Sequence, residues 1–286
     1  MPCEQCHDSY WVTEVVDGVE RVRRCACWRA AVTTHQLGYA RIPQRYRHCE
    51  LTNFEQNTDS LREAHRRARA FVEAFPVVDR GLLLRGRHGV GKTHLAVAIL
   101  KTVVQQKGAR GYFYETRELL KLVRDSYASG ERSEMEVLRP VLDADLLVLD
   151  DLGAEKTSEW VQETLGLVVN TRYSERRPTI FTTNLANSTS LEDLQSMRVQ
   201  LGERTRSRLL EMCWDVEMDG PDVREYGLHP TPADIARAER EREALERQRK
   251  TGSGFPDRAR GMARAALRRG PGSSDVAWAG GKGGSA

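Results

Sequence analysis

Short apolar runs alternate with longer amphipathic windows through the middle of the chain. Three windows have apolar residues at helical spacing and predict helices: Thr93–Gln106, Arg117–Tyr127 and Ser158–Arg176. Five short runs of apolar and β-branched residues predict strands: Gly81–Leu84, Gly111–Tyr114, Leu146–Asp150, Thr179–Thr183 and Trp214–Met218. Strands that alternate with helices of roughly 10 to 20 residues are typical of a parallel sheet covered by helices on both faces. The pattern therefore predicts an α/β fold built on a five-stranded parallel sheet.

Four regions of the chain differ in composition. Residues 1–30 hold four of the six cysteines, and residues 31–46 are interpreted as a connector that contains Gly38 and Pro43. The alternating strands and helices occupy residues 47–219, which we predict to form the main domain. Residues 220–286 are rich in charge, glycine, alanine and proline, so we expect a helix over Thr231–Lys250 and then a disordered tail.

Composition and charge limit the class of protein. With 286 residues and 40% hydrophobic content the chain is able to bury a core, which excludes an intrinsically disordered protein. The apolar runs are too short to span a bilayer and no signal-peptide pattern opens the chain, so we expect a soluble, cytoplasmic protein without a membrane partner.

The net charge is only +3, but Arg247–Arg269 holds eight basic residues against the single acid Asp257. Such a tail predicts either salt-sensitive attraction to a polyanion or simply better solubility.

A glycine-rich sequence follows the first strand predicted for the main domain. Residues 86–93 read GRHGVGKT, which matches G-x-x-x-x-G-K-[ST] and stands between a strand and a helix. In such a loop the glycines let backbone N–H groups approach phosphate oxygens, and the helix N-terminus adds partial positive charge. Lys92 is expected to reach the β and γ phosphates of ATP and Thr93 to bind Mg²⁺. The alternative is a chance glycine-rich turn. The residues predicted to bind the nucleotide are Gly86, Arg87, His88, Gly89, Val90, Gly91, Lys92 and Thr93.

Polar residues follow two later strands. Asp150 ends the run Leu146–Asp150 and Asp151 directly follows it, and Asn184 follows Thr179–Thr183. A nucleotide site of this kind needs a strand-end carboxylate for Mg²⁺, which we assign to Asp150. Asp151 is the candidate to polarise the attacking water, and Asn184 to orient that water or contact the γ phosphate. The alternatives are a solvated acidic turn and an asparagine that merely ends a strand.

These motifs together resemble the AAA+ helicase loaders of the DnaC type and the related IstB transposition ATPases. The resemblance covers about residues 47–219 and is carried by GRHGVGKTHLA, DADLLVLDDLGAEKTSEW, IFTTNL and LGERTRSRL. It implies an AAA+ core in which Asn184 is the first sensor. It also implies that Arg204 or Arg208 is an arginine finger that reaches the ATP site of the next subunit, Arg208 being favoured. Without the resemblance, the two arginines would more simply line a solvated helix face.

The chain departs from many AAA+ proteins in two ways. Asp151 stands where many of them have glutamate, so we expect slow hydrolysis. No counterpart of the helical lid and second sensor is recognisable after Met218. The sequence therefore does not predict that the tail closes over the nucleotide.

The N-terminal cysteines predict a metal-binding module. Cys3 and Cys6 form one pair, Cys25 and Cys27 a second, and the β-rich runs between them are separated by Asp17-Gly18, a strong hairpin signal. A hairpin brings both pairs together, where four thiolates complete a zinc site. His7 is a substitute ligand, and disulfides or free thiols are the alternative. The module also resembles the zinc ribbon of some loaders. Cys49 and Cys213 are interpreted as buried apolar groups without ligand-type neighbours.

The resemblance also predicts partners. We expect an ATP-dependent homo-oligomer that loads a replicative helicase and holds single-stranded DNA. Lys121, Arg124 and Tyr127 are the candidate DNA contacts. The alternative is that these three residues only form a solvated helix face. The rivals are a transposition helper that acts on a transposase and a nucleotide-binding scaffold with little hydrolysis.

Overall fold

The computed structural model describes residues 3–7, 9, 11–16, 19–129, 133–188, 193–227 and 231–251. The chain divides into two compact units, Met1–Ala238 and Glu239–Ala286. The second unit is described only as far as Thr251, so the basic segment beyond it and the predicted disorder lie outside the described residues.

The elements confirm the predicted alternation of strands and helices. The strands are β1 (Trp11–Val16), β2 (Val19–Arg24), β3 (Gly81–Gly86), β4 (Gly111–Glu115), β5 (Leu146–Asp150), β6 (Thr179–Thr183) and β7 (Cys213–Met218). The described helices are α1 (Ala26–Tyr39), α2 (Asp59–Ala74), α3 (Lys92–Lys107), α4 (Thr116–Ser129), α5 (Glu134–Asp143), α6 (Glu159–Ser174), α7 (Met197–Leu201), α8 (Glu203–Met212), α9 (Val223–Tyr226) and α10 (Pro232–Thr251).

The main sheet has five parallel strands in the order β4-β5-β6-β3-β7. Successive residues of a strand point to opposite faces, so Leu82 and Leu84 pack in the core layer beneath α2 and α3, while Leu83 packs in the layer formed with α4, α5, α6 and α8. Both faces are thus buried, as a parallel sheet requires. In this order the carboxyl end of β6 lies between those of β5 and β3.

Five of the described helices were not predicted from the sequence: α1, α2, α5 and the short α7 and α9. Helix α2 begins after the Thr58 cap, whose hydroxyl accepts from the backbone N–H of Leu61, and α5 begins with a capping box made by Ser133 and Glu136. Helix α1 starts inside the cysteine-rich region and runs through most of the stretch interpreted as a connector.

Strands β1 and β2 form the predicted antiparallel hairpin, with Trp11 opposite Arg24 and Val16 opposite Val19. Its turn, Asp17-Gly18, lies outside the described residues. The guanidinium of Arg24 stacks over the rings of Trp11 and Trp28, at 3.8 Å and 4.6 Å from their centroids. Such contacts stabilise a small hairpin that has little core of its own.

Within the part of the chain that the structure describes, every helix is too short or too polar to cross a bilayer.

Candidate functional site

The loop between β3 and α3 has the backbone that its glycines predict. Gly89 and Gly91 have φ angles of 74° and 95°, in the left-handed region that side chains disfavour. A Cβ atom on Gly91 would lie 3.0 Å from the ring of Phe54, and one on Gly89 would overlap the carboxylate of Asp222. The loop then leads directly into α3, whose N-terminus favours an anion.

The ammonium of Lys92 is folded back onto this loop. It donates hydrogen bonds to the carbonyl oxygens of Gly86 (2.9 Å) and Arg87 (2.6 Å) and to Oδ1 of Asn184 (2.6 Å). Burial lowers the pKa of Lys92 to about 8, although Asp151 and Asp150 act in the opposite direction. A buried lysine of this kind is one that a bound polyanion would stabilise in its charged form.

Asp150 lies at the end of β5 and is almost fully buried. It accepts hydrogen bonds from the hydroxyls of Thr93 (2.9 Å to Oδ1) and Thr182 (2.6 Å). Burial raises its pKa, and the two hydroxyl donors partly offset this effect. The oxygens of Asp150 and Thr93 are hard ligands of the type that Mg²⁺ prefers, so this pair fits a magnesium ion.

Asp151 and Asn184 face each other across the ends of β5 and β6. Asp151 has a left-handed φ of 55°, and its backbone N–H donates to Thr182 Oγ1 at 2.8 Å. Asn184 donates through Nδ2 to Asp151 Oδ1 (2.8 Å) and accepts through Oδ1 from Lys92. Lys92 is only a donor and a carboxylate only an acceptor, which fixes the orientation of this amide. The carboxylate and the loop lysine are therefore joined through one side chain.

The segment after β7 contacts the loop, although the sequence shows no recognisable helical lid or second sensor after Met218. The carboxylate of Asp222 packs against Gly89, and the N–H of Val223 donates to the carbonyl of Gly89 at 3.1 Å. Arg224 lies close enough to help lower the pKa of Lys92. The residues around Pro221 indicate a turn in the sequence. They do not indicate that this turn contacts Gly89, which is more than a hundred residues away in the chain.

The two candidate finger arginines lie on α8, one turn apart. Arg204 is exposed, whereas Arg208 donates a hydrogen bond to Asn170 and lies over the ring of Tyr173, 5.5 Å from its centroid. Arg206, between them, donates to Oδ1 of Asn187. A contact with a neighbouring subunit stays a prediction.

The four N-terminal cysteines come together as predicted. Their sulfurs lie within 4.8 Å of one another, with 3.7 Å between Cys3 and Cys25 and 3.2 Å between Cys6 and Cys27. A disulfide requires about 2.05 Å, whereas zinc–sulfur bonds of about 2.3 Å place tetrahedral sulfurs about 3.8 Å apart. The donor set and its spacing thus fit a zinc ion. His7 is not in this group of described ligands.

The two remaining cysteines differ from each other. Both are buried, as predicted, and burial raises the thiol pKa of each. The expectation that Cys49 lacks ligand-type neighbours is wrong, because His48 and His94 lie beside it. Cys213 instead lies 3.7 Å from the carbonyl of Thr179. His48 directly precedes Cys49 in the sequence, whereas His94 on α3 is 45 positions away and becomes a neighbour only in the folded chain.

The candidate DNA contacts lie on α4. Lys121 and Tyr127 are exposed, while the guanidinium of Arg124 lies over the ring of Trp160, 4.8 Å from its centroid. They stay predictions for DNA binding.

Fold and site together define a class. A parallel sheet with β5, β6 and β3 side by side, a glycine-rich loop before α3, and a strand-end aspartate paired with the loop threonine are the parts of a P-loop nucleotide-binding protein with an AAA+ core.

Comparison with known proteins gives the family. Residues 11–225 match the model of the IstB-like ATP binding protein family, and the chain belongs to this family. It is 26% identical over 164 residues to the replicative helicase loader DnaC of Escherichia coli, covering 57% of this chain and 64% of that protein. It is 29% identical over 151 residues to the loader DnaI of Bacillus subtilis, covering 51% of this chain and 48% of that protein. A crystal structure of the DnaC helicase loader matches with a TM-score of 0.56 and 34% identity, covering 62% of this chain and all of that one.

Proposed function

We propose that this protein is an ATP-dependent loader of a replicative helicase. Two hydrogen bonds beside the glycine-rich loop carry this proposal: Thr93 donates to Asp150, and Lys92 donates to Asn184. Membership of the IstB-like family and similarity to DnaC and DnaI support the loader role. The matched region spans less than two thirds of DnaC, so the partners are part of the proposal.

ATP occupies the loop, with its phosphates on the loop N–H groups and Lys92. Thr93 and Asp150 would hold Mg²⁺, which would neutralise negative charge on the phosphates. To reach the phosphates, Lys92 leaves the carbonyls that it now contacts, and Asn184 Oδ1 becomes available for the attacking water. Asp151 accepts the proton of that water, a general-base contribution of roughly 10²- to 10⁴-fold.

Assembly completes the site. Arg208, or Arg204, reaches the γ phosphate of the neighbouring subunit and stabilises the charge that develops there. Arg204 is exposed and therefore needs no rearrangement, whereas Arg208 must release Asn170. Because this arginine contacts ATP on the neighbouring subunit, ATP binding favours a homo-oligomer. Hydrolysis then lets the subunits separate.

The remaining parts supply contacts to partners. Cys3, Cys6, Cys25 and Cys27 would hold a zinc ion that stabilises the N-terminal hairpin. This hairpin would contact the helicase. Lys121 and Tyr127 are exposed on α4 and suit a single strand of DNA, where cations meet phosphates and aromatic rings stack on bases. Reduced thiols and ATP are both features of the cytoplasm, where we propose that the protein acts.

A second function is favoured by one observation. The matching family model is that of the IstB-like ATP binding proteins. The alternative function is therefore that of a transposition helper, in which the same ATP-binding core acts on a transposase. Capture on immobilised protein with Mg-ATP, from cells of the source organism, distinguishes the two: recovery of a hexameric helicase supports the loader, and recovery of a transposase supports the helper.

The loader proposal is tested by reconstitution. Purified protein, the captured helicase and circular single-stranded DNA are mixed with or without ATP, and DNA-bound helicase is measured after gel filtration. We expect ATP-dependent loading by wild type and by the control Asp145→Asn, which changes an acid at the opposite end of β5, and none by Lys92→Ala. Loading that is equal with and without ATP, or equal in Lys92→Ala, contradicts the proposal.

A further inference from the structure

A cluster of metal-ligand side chains lies apart from the cysteine module, beside the first turn of α3. His48, Cys49 and His94 each offer one ligand atom, and the three atoms lie within 4.8 Å of one another. The Sγ atom of Cys49 is 3.9 Å from Nε2 of His48. The rings of His48 and His94 are nearly perpendicular, with centroids 6.1 Å apart. We propose that these side chains form a second metal site, which binds a zinc ion with water as its fourth ligand.

Residues 48–49 are held in place against α3 and residue 53 by contacts that do not use the ligand atoms. Lys101, two turns along α3 from His94, donates to the carbonyl oxygen of Cys49 at 2.9 Å. Asn53 Nδ2 donates to the carbonyl oxygen of His48 at 2.8 Å. The ligands are therefore positioned before a metal binds, which reduces the conformational entropy lost on binding.

The ring of His94 has the outer partners that a metal-binding histidine usually has. Its Nε2 lies 3.1 Å from the carbonyl oxygen of Glu50 and 2.9 Å from Oδ1 of Asn53. Both oxygens are acceptors, so this nitrogen carries the proton of the neutral ring and the other nitrogen keeps its lone pair. A hydrogen bond from one ring nitrogen to a carbonyl oxygen orients the ring and strengthens the other nitrogen as a ligand.

The donor set selects the metal. One thiolate and two imidazoles suit zinc, whereas Mg²⁺ and Ca²⁺ prefer oxygen ligands. Cys49 is only 1% exposed and His48 is exposed, so the sulfur is shielded from solvent while water can reach the side of the site formed by His48. Three protein ligands with one water is a common arrangement for zinc.

The position of the site links it to the nucleotide loop. His94 directly follows Thr93, and its ring contacts that of Phe54, with 5.6 Å between centroids. Phe54 also packs beneath Gly91. A zinc ion would therefore tie residues 48–54 to the turn of α3 that begins the phosphate site.

Cobalt titration tests the site, because Co²⁺ replaces zinc and its thiolate complexes absorb light. Reduced full-length protein is titrated with Co²⁺ in four forms: wild type, His48→Ala, Cys49→Ala and the control Cys213→Ala, which removes a thiol that is equally buried. The four N-terminal cysteines are common to all forms, so differences report only the proposed site. Wild type and Cys213→Ala should bind one more ion per chain than Cys49→Ala.

His48→Ala keeps the test decisive if Cys49→Ala does not fold, because His48 is exposed. This variant should bind the additional ion at least tenfold more weakly than wild type does, with a changed visible absorption band. Equal stoichiometry, affinity and spectra in wild type and His48→Ala would overturn the proposal. Equal values in wild type and a folded Cys49→Ala would do the same.

Discussion

Asn184 Oδ1 accepts a hydrogen bond of 2.6 Å from Lys92, a residue 92 positions earlier in the chain. The same amide donates to Asp151, so it joins the phosphate-binding lysine to the proposed general base. This contact exists because β6 lies between β5 and β3 in the sheet. Asn184 therefore contacts both the phosphate-binding lysine and the proposed general base.

Replacing Asn184 by alanine should slow turnover and leave ATP binding nearly intact. Asp151 loses its amide donor, and the water loses a group that orients it, so we expect kcat to fall roughly 10²-fold while KM changes little. Steady-state ATPase assays measure both constants. A rise in KM with kcat unchanged would instead assign Asn184 to ground-state binding.

Asp151→Asn should lower kcat more than Asn184→Ala does. The amide cannot accept the proton of water, so a loss of roughly 10²- to 10⁴-fold is expected. Asp145→Asn, which changes the acid that pairs with Arg110 at the other end of β5, is the matched control and should keep normal turnover. Wild-type turnover in Asp151→Asn would show that Asp151 is not the general base.

ATP binding should take up protons near pH 8. The pKa of Lys92 is about 8 because the side chain is buried, and bound phosphate raises it by favouring the ammonium form. Near pH 8 Lys92 is only partly protonated in the free protein and is more fully protonated in the complex, so ATP binding takes up a fraction of a proton and the affinity falls as the pH rises through this range. Calorimetry at pH 8 in two buffers of different ionisation enthalpy measures this uptake; equal heats in both would contradict it.

Arg172 should be essential for stability. It is completely buried on α6 and donates to Thr179 Oγ1 and to the carbonyl oxygens of Val141, Leu142, Ala144 and Pro178. Lysine cannot span these acceptors, so Arg172→Lys should lower the free energy of unfolding by about 2 to 4 kcal/mol. Urea denaturation measures the change, and the same replacement at the exposed Arg176 should cost less than about 0.5 kcal/mol. Equal effects at both positions would refute this role.

The sequence predicted the strands and the polar groups at their ends because both are local patterns. GRHGVGKT and the pair Asp150-Asp151 are local in the same sense. Helix α2 was missed because its apolar stripe includes the small residues Ala64 and Ala68 among many charges. A sequence pattern of this kind is easily read as a solvated segment.

The contacts that complete the site could not be predicted in this way. The position of β6 between β5 and β3 follows from crossover connections, which leave no local trace in the sequence. For the same reason the contact of Asp222 with Gly89 and the approach of His94 to Cys49 appear only in the folded chain.

We propose that the glycine loop and Asp150 bind one Mg-ATP together. Equilibrium binding of a fluorescent ATP analogue, with and without Mg²⁺, tests it in wild type, Lys92→Ala, Asp150→Asn and the control Asp145→Asn. We predict magnesium-dependent binding in wild type and the control, at least tenfold weaker binding in Lys92→Ala, and loss of the magnesium dependence in Asp150→Asn. Absence of binding in wild type, or equal affinity in all four proteins, would contradict the account.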